Sequence, residues 1–252
     1  MAKILSPRRE AACILKPMDP FSPERFFSLE HFAHKELWRE NLPVWCAIDA
    51  ILPYLESCSL GKIESKIPEG VYLENREQIK IGPGVIFEPG VYIQGPCIIG
   101  ENSEIRHGAY LRGGVILGKG CVVGHAAEIK HSVLLDGAHA THFVYAGDSI
   151  FGNRVNLGAG VKCANLRLDR KEISILFEGV KHRTGLRKFG AVIGDGVQIG
   201  CNAVLNPGTI VGKNALCYPL VHASGVIPEA GIVKKAGVVK VHALLERMLE
   251  TR

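Results

Sequence analysis

The sequence lacks the features of membrane insertion, export and disulfide pairing. No uncharged apolar run approaches the ~18 residues of a transmembrane helix, and the opening stretch MAKILSPRREAACILKPMDPF has no signal-peptide core. The eight cysteines show no C-x-x-C spacing, so we expect free thiols in a reducing compartment. These absences predict a cytoplasmic protein without membrane insertion.

An excess of charge is confined to one segment. The whole chain carries five more positive than negative charges. Residues 162–188 contain eight Lys or Arg against three acidic residues, which equals that entire excess. No nucleic-acid-binding motif or aromatic stripe accompanies the charge, so we do not expect a nucleic-acid partner. An anionic ligand near this segment and a solvated loop are both consistent with the pattern.

Helical spacing dominates the first 62 residues. Apolar residues there recur at separations of three and four, which predicts two or three short helices. They are Phe26, Phe27, Leu29, Phe32, Leu37, Trp38, Val44, Trp45, Ile48, Ile51, Leu52 and Leu55. We expect residues 1–62 to form an N-terminal helical segment that caps an exposed end of the next domain.

From residue 81 the apolar period changes to six. The apolar positions are Ile81, Phe87, Ile93, Ile99, Ile105, Leu111, Leu117, Val123, Ile129 and Leu135. A small side chain follows four places after each of the first nine, and glycine directly follows four of them, at 82, 100, 118 and 124. An α-helix cannot hold this phase, whereas short strands joined by corners can. The pattern predicts a mainly β fold, a parallel β-helix of hexapeptide repeats over residues 63–220.

The repeat is interrupted twice. It returns out of phase at Phe151 and Leu157, which places a register shift in the stretch 141–165. It lapses over residues 166–188, and a long excursion of this kind is frequently functional. After Pro219 we expect the chain to leave the coil, so that residues 221–252 form an exit with a short closing helix at Val241–Leu249.

Five short motifs mark the middle of the repeat. They are LRGG at Leu111–Gly114, AEIK at Ala127–Lys130, ATHFVYAGD at Ala140–Asp148, NRVNLGAG at Asn153–Gly160 and CAN at Cys163–Asn165. In order and spacing they resemble the acetyltransferase half of bifunctional bacterial N-acetylglucosamine-1-phosphate uridyltransferases, which are left-handed parallel β-helix acyltransferases.

That resemblance has several implications. It implies a left-handed coil with three hexapeptides per turn, a homotrimer with active sites between subunits, and acetyl-CoA as cosubstrate with no metal. The expected activity is N-acetylation of an amino-sugar phosphate such as glucosamine 1-phosphate, in the synthesis of nucleotide sugars for the cell envelope. The first 80 residues hold no counterpart of the uridyltransferase half, so we expect no uridylyl transfer.

Two basic residues suggest a phosphate site. Arg112 and Lys130 are three hexapeptides apart, so they occupy the same point of adjacent turns, with backbones about 4.8 Å apart. Two cations so close repel unless an anion joins them, and an arginine fork beside a lysine suits a phosphate. Two solvated surface charges are the alternative. Tyr145 either adds a hydroxyl donor for the phosphate or is an ordinary half-buried tyrosine.

The resemblance also implies roles for further residues. His142 corresponds to the family's catalytic base, which removes a proton so that the amine nitrogen can attack the thioester carbonyl. We expect the register shift to let a loop lift His142 off a flat face of the coil. Glu128 orients this base or holds the sugar. The remaining expected residues are Asn156 and Asn165 for substrate positioning, and Cys201, Pro219, Arg183 and Arg187 for cofactor binding.

Two other functions remain open. His107 and His125 are also eighteen residues apart, and His131, His139 and His142 follow. A histidine metal enzyme of the β-helix carbonic anhydrase type is therefore one alternative. A non-catalytic scaffold or regulatory subunit is the other.

Overall fold

The computed structural model describes residues 19–234 and the strand at 237–240, so the expected helix at Val241–Leu249 lies outside the described residues. The body of the molecule is a left-handed parallel β-helix. Among the described residues, helical structure consists of α1 (Cys46–Ser57) and three 3-10 helices, Pro23–Arg25, Lys35–Leu37 and Arg76–Gln78. None of the helices in the described part is long and apolar enough to cross a membrane.

The coil has three flat faces, each a sheet of parallel strands stacked along the coil axis. Face A contains β2 (Ile79–Ile81), β5 (Cys97–Ile99), β8 (Val115–Leu117), β11 (Ser132–Leu134), β14 (Ile150–Phe151), β19 (Ala191–Ile193), β22 (Thr209–Val211) and β25 (Val226–Ile227). Face B contains β1 (Tyr72–Glu74), β4 (Tyr92–Gln94), β7 (Tyr110–Arg112), β10 (Glu128–Lys130), β13 (Tyr145–Gly147), β16 (Lys162–Cys163), β21 (Val204–Leu205) and β24 (His222–Ala223). Face C contains β3 (Ile86–Phe87), β6 (Glu104–Ile105), β9 (Val122–His125), β12 (His139–His142), β15 (Asn156–Leu157), β20 (Gln198–Ile199), β23 (Leu216–Cys217), β26 (Gly231–Lys234) and the antiparallel β27 (Gly237–Lys240).

The hexapeptide pattern is confirmed by the coil interior. The apolar residue of each repeat points inward and is buried, so that Ile93, Leu111 and Ile129 stack in register on consecutive turns. The small residues four places later are buried beside them, as at Ala109 and Ala127. Full burial of one aliphatic side chain contributes about 1.5–3 kcal/mol, so this repeated interior stabilises the coil turn by turn.

The glycines after the apolar residues serve close approach between turns. Gly100 and Gly124 lack the left-handed backbone that a tight corner suggests. A Cβ on Gly100 would overlap the carbonyl of Gly118, and one on Gly124 would overlap that of Thr141. Glycine is needed there because the next turn leaves no room for a side chain.

The break in phase begins before the stretch 141–165. The eighteen-residue spacing of paired strands holds from β5 to β8, but Val115 on β8 pairs with Ser132, only seventeen residues on. The corner between β10 and β11 is the single residue His131, where the previous turn has two residues. In consequence Leu134 enters the coil interior, whereas Leu135 points outward.

A second shortened corner lies inside that stretch. Tyr145 pairs with Lys162, again seventeen residues on. Val133 pairs with Ile150, so Ser149 is level with Ser132, the first residue of β11. Asp148 is therefore the single corner residue of this turn and the counterpart of His131 one turn earlier. The register shift expected in 141–165 is therefore present, but another shift, at His131, precedes it.

The N-terminal helical segment, from residue 19 where the description begins, packs on face A rather than over an end of the coil. Its aromatic and aliphatic residues pack on the outward side chains of face A, including Ile98, Ile116 and Ile150. Asp195 anchors the segment, since its carboxylate accepts a hydrogen bond from the Ser28 backbone N–H at 2.7 Å. This flat side of the coil is therefore closed to other partners along the packed area.

The excursion also packs on face A. It contains an antiparallel hairpin, β17 (Ser174–Phe177) and β18 (Val180–Arg183). Ile173, Ile175 and Leu186 are buried in the same cluster as the N-terminal segment. The Phe21 ring lies 5.4 Å from the ring of Phe177. Packing between two non-coil segments is thus one role of this excursion.

The coil extends beyond the expected exit at Pro219. Val204 on β21 pairs with His222 on β24, and Leu216 on β23 pairs with Ile232 on β26. The three-faced arrangement therefore continues to residue 234. The sequence conceals these strands because the spacing between turns shortens there, with sixteen residues between paired positions of β22 and β25.

Candidate active site

The two basic residues of the predicted phosphate site lie on face B. Tyr110 and Leu111 pair with Glu128 and Ile129, which puts Arg112 and Lys130 at equivalent positions of adjacent strands. The next position in this column is Gly147, the register partner of Lys130. The column therefore changes from two long cationic side chains to a buried glycine.

Each cation already has a carboxylate partner. Arg112 donates from Nη1 to Glu128 Oε1 at 2.7 Å, and this hydrogen bond raises the pKa of Arg112. Lys130 Nζ lies 3.2 Å from Asp148 Oδ2. The charges of these four residues cancel, so the two cations do not need an external anion to offset their repulsion, and the phosphate site itself stays a prediction. A phosphate would have to share both cations with protein carboxylates.

The Asp148 carboxylate is the centre of a buried polar cluster. Only 5% of its side chain is exposed. His131 Nδ1 lies 2.9 Å from Oδ1, Lys130 Nζ contacts both oxygens, and the Asn165 amide donates to Oδ2. Burial raises the pKa of Asp148, but the hydrogen bonds from His131 and Asn165 and the charge of Lys130 outweigh burial and lower the pKa. Asp148 is therefore a carboxylate near neutral pH, and His131 must donate from Nδ1.

Two corner residues of this cluster have unusual backbone conformations. His131 and Asp148 have φ values of 47° and 50°, in the left-handed region. This region costs a residue with a side chain about 1–2 kcal/mol. Each is the single residue of a shortened corner. The equivalent corner one turn before His131 has two residues, Gly113 and Gly114. The geometry turns the imidazole toward the carboxylate of the next turn.

Tyr145 and Asn165 converge beside Gly147. A Cβ at Gly147 would lie 2.5 Å from Asn165 Nδ2 and 2.7 Å from the Tyr145 hydroxyl. Burial, followed by the charges of Glu128 and Asp148, raises the pKa of Tyr145, so its hydroxyl keeps its proton and can donate. The absence of a side chain at Gly147 is what lets the phenol and the amide meet.

His142 is at the opposite end of β13 from this cluster. It is the last residue of β12 and pairs in register with His125. Its ring is exposed, and within residues 19–234 no side chain hydrogen-bonds to it. No loop lifts it from the coil, because both shortened corners lie elsewhere, at His131 and Asp148. One copy of the chain does not bring His142 and Lys130 together.

Glu128 lies near Arg112 rather than near the predicted base. Its contact with Arg112 places it on face B, one strand away from Tyr145. Within a single chain it does not orient His142. It restrains the arginine.

Three of the predicted residues share a shallow groove at face C. The groove has a volume of about 380 Å³ and is lined by Asn156, Cys201, Tyr218 and Pro219, among others. Asn156 pairs in register with His139 and Gln198 on neighbouring strands. The structure thus groups Asn156 with the predicted cofactor residues Cys201 and Pro219 and separates it from Asn165.

The two arginines predicted to bind cofactor have partners within the excursion. Arg183 forms an ion pair with Glu172 at 2.6 Å, and Arg187 donates to the Arg170 carbonyl at 3.3 Å. Both arginine side chains remain at the surface. The charge excess of this segment is therefore partly engaged in holding its own fold.

The histidines of the metal alternative are dispersed. The His107 and His125 rings stack 5.5 Å apart, while His131 binds Asp148 at another corner. His139 lies on face C beside Asn156. In the described part of the chain no group of three or more His, Cys, Asp or Glu side chains is arranged to hold a metal ion.

Asp148 and His131 are the residues that the sequence did not single out for the site. Both carry a signal in hindsight. Asp148 ends the motif ATHFVYAGD, and His131 directly follows AEIK. Each occupies a corner at which the repeat loses one residue. A polar residue at a corner where the phase changes was the available clue.

The middle of the coil is similar in sequence to known proteins. A family model described as the GMPPB C-terminal domain matches residues 93–187. A bifunctional sugar-1-phosphate nucleotidylyltransferase/acetyltransferase from Sulfurisphaera tokodaii is 41% identical over 86 residues, which cover 34% of this chain and 21% of the relative. The bifunctional protein GlmU from Methanococcus vannielii is 34% identical over 136 residues, 54% of this chain and 27% of the relative. The chain thus spans between about a fifth and two fifths of the length of the curated relatives it matches.

Solved structures with a related coil have low sequence identity to this chain. The UDP-N-acetylglucosamine acyltransferase of Francisella novicida aligns with a TM-score of 0.49 and 16% identity, over 73% of this chain and 71% of that one. The acetyltransferase domain of PglB from Neisseria gonorrhoeae aligns with a TM-score of 0.35 and 15% identity, over 68% and 58%.

Proposed function

We propose that this chain is an acetyl-CoA-dependent N-acetyltransferase of the hexapeptide-repeat, left-handed β-helix acyltransferase superfamily. Its acceptor is an amino-sugar phosphate of the glucosamine 1-phosphate kind, and its product enters nucleotide-sugar synthesis for the cell envelope. One observation carries the proposal: Arg112 and Lys130 share a column on face B, and Tyr145 and Asn165 meet at Gly147, the next position of that column. Uridylyl transfer is not part of the activity of this segment.

The phosphate of the acceptor binds between Arg112 and Lys130. Arg112 uses Nη1 for Glu128, which leaves further N–H groups of its guanidinium for phosphate oxygens. The Lys130 ammonium has three N–H donors and reaches only the two oxygens of Asp148. Tyr145 adds a neutral hydroxyl donor, and Asn165 supplies an amide. These donors suit an anion attached to a sugar.

His142 serves as the general base. The acceptor ammonium must lose a proton before its nitrogen attacks the thioester carbonyl, and an accessible imidazole can take that proton. The new C–N bond then replaces the C–S bond, and coenzyme A leaves as the thiol or thiolate. The exposed ring of His142 is free for this role because no side chain in the described part of the chain holds it.

A second copy of the chain completes the site. His142 ends a face C strand, before the chain enters face B, whereas Lys130 lies at the far end of a face B strand, so joining them requires a neighbouring subunit. The N-terminal segment already covers face A. Faces B and C and their shared corner remain, and the exposed Phe143 at that corner adds apolar contact area. We propose a homotrimer, in which the base of one subunit faces the phosphate-binding residues of the next.

The cosubstrate binds in the groove lined by Asn156, Cys201 and Pro219. Tyr218, which is 47% exposed, offers an aromatic surface in the same groove. Arg183 and Arg187 remain candidates for its phosphates, since both are at the surface. The shallow groove becomes a closed site only when another subunit covers it.

The test is a mass-spectrometric assay of the purified chain with acetyl-CoA and a panel of amino sugars, their 1-phosphates and nucleotide sugars. We expect an acetylated product from an amino-sugar 1-phosphate and none from the unphosphorylated sugar. Lys130→Met should abolish this preference, and Lys62→Met, remote on the first turn, is the matched control. No acetylation of any acceptor, with no thermal shift by coenzyme A, would overturn the proposal in favour of a scaffold.

A further inference from the structure

The Asp148 carboxylate binds two of the residues proposed for substrate binding. It contacts the ammonium of Lys130 at 3.2 and 3.3 Å, and it accepts a hydrogen bond from the Asn165 amide. Its third donor, His131, has no part in the proposed reaction. We propose that Asp148 is a positioning residue that holds Lys130 and Asn165 at the phosphate site, and that His131 holds Asp148. This inference rests on the proposed function.

Lys130 needs such a partner because its side chain is long and flexible. A free lysine samples many rotamers, and ordering it on a ligand lowers the affinity for that ligand. Contact with both Asp148 oxygens restricts the ammonium before any ligand arrives. At least one of its three N–H groups remains available for a phosphate oxygen. Asp148 therefore orders the lysine without using all of its donors.

Asn165 is positioned by the same carboxylate. Its Nδ2 atom donates to Asp148, and both this atom and the Tyr145 hydroxyl lie against Gly147. A carboxylate accepts only, so it forces the Asn165 amide nitrogen, and not the amide oxygen, to face Asp148. The amide oxygen is then turned toward the other side, where it can accept from a ligand. One buried carboxylate thus sets the orientation of two groups from two different turns.

His131 supports Asp148 from the first shortened corner. Its backbone is left-handed, a conformation that glycine adopts at Gly113 and Gly114 one turn earlier. Glycine would satisfy the backbone at residue 131 as well, so what His131 adds is the imidazole. The Nδ1–Oδ1 distance of 2.9 Å gives Asp148 a third donor, from the corner rather than from face B. Three donors at different angles leave the carboxylate a single orientation.

A double-mutant cycle separates positioning from a general structural role. Acceptor KM is measured with glucosamine 1-phosphate and acetyl-CoA for the full chain, Asp148→Asn, Lys130→Met and the double variant. We expect Asp148→Asn to raise acceptor KM about tenfold, with the acetyl-CoA KM within about twofold of wild type. In the Lys130→Met background the same change should alter acceptor KM by less than about twofold. If Asp148→Asn raised acceptor KM by the same factor in the wild-type and Lys130→Met backgrounds, the inference would be overturned.

A second pair of variants covers the case in which Asp148→Asn does not fold. His131→Asn keeps an N–H donor and tolerates the left-handed backbone, whereas His131→Ala removes the donor. We expect acceptor KM to stay near the wild-type value in the first and to rise about threefold or more in the second. Equal KM values in the two variants and wild type would refute the part assigned to His131.

Failure of this inference is distinguishable from failure of the proposed function. If the wild type acetylates no amino-sugar phosphate, the proposed activity is wrong. The same cycle read from calorimetric binding of glucosamine 1-phosphate then decides the role of Asp148. Additive losses of binding affinity in the two single variants, or no binding by the wild type, would overturn the role of Asp148. Coupled losses of affinity would support it.

Discussion

The ion pair between Arg112 and Glu128 gives a prediction that separates phosphate binding from base orientation. The two side chains are 41% and 33% exposed. An exposed pair of this kind contributes about 0–1 kcal/mol to stability. We therefore expect Glu128→Gln to change the free energy of unfolding by at most about 1 kcal/mol, so the variant should fold and can be assayed.

The effect on the acceptor is worked out from the charge that is removed. A phosphate bound to Arg112 lies close to the Glu128 carboxylate, and two like charges about 4 Å apart in water repel by about 1 kcal/mol. Removing the carboxylate charge should lower acceptor KM by roughly fivefold, since about 1.4 kcal/mol corresponds to tenfold. The gain should shrink at high salt, where surface charges are screened. We expect kcat to change by less than about twofold.

The assay is steady-state kinetics of wild type, Glu128→Gln and Glu104→Gln at low and high salt. Glu104 is the matched control because it also pairs with an arginine, Arg106, on face C. A kcat lowered tenfold or more with unchanged acceptor KM would refute this reasoning. That result would mean that Glu128 orients His142 across a subunit interface.

Four further predictions follow from the site and the coil. His142→Ala should lower kcat by about 10²–10⁴-fold while light scattering still reports a trimer. The control is His222→Ala, at an exposed histidine. Near-wild-type turnover of His142→Ala would mean that another residue is the base. Leu134→Ala should destabilise the fold by about 2–5 kcal/mol in urea unfolding, because Leu134 is buried in the coil. The control variant Leu168→Ala, at a fully exposed leucine, should change the free energy of unfolding by no more than about 0.5 kcal/mol. Equal losses in the two variants would contradict the register. The folded pKa of Asp148 lies below its usual value of 3.8, so its stabilisation is present above that value and is lost as pH falls through the folded pKa. Acid unfolding of Asp148→Asn should accordingly show a weaker pH dependence in that range, and identical curves would count against an ionised Asp148. Arg187→Glu should weaken coenzyme A binding in calorimetry at low salt, and unchanged affinity would assign the excursion to packing alone.

The parts of the fold that repeat locally were predictable from the sequence. An inward apolar residue every six positions is required by each turn separately, so the coil from Ile81 to Ile129 is legible without any distant contact. The motif spacing placed Arg112 and Lys130 on one column for the same reason. The first phase break escaped notice because residues 134 and 135 are both leucine. Either could continue the pattern, and only the length of the corner at His131 decides which one enters the coil.

Contacts between segments far apart in the chain were decided by the tertiary structure. The sequence predicted that the N-terminal aromatic residues would pack against the coil, but not that they would cover face A, where Asp195 holds Ser28. It predicted that Arg112 and Lys130 occupy the same point of adjacent turns, but not that Glu128 and Asp148 neutralise them. Hydrophobic periodicity reports whether a side chain points in or out of its own turn. The partner of an outward side chain depends on which other turn or segment is adjacent, and that is settled only when the chain is folded.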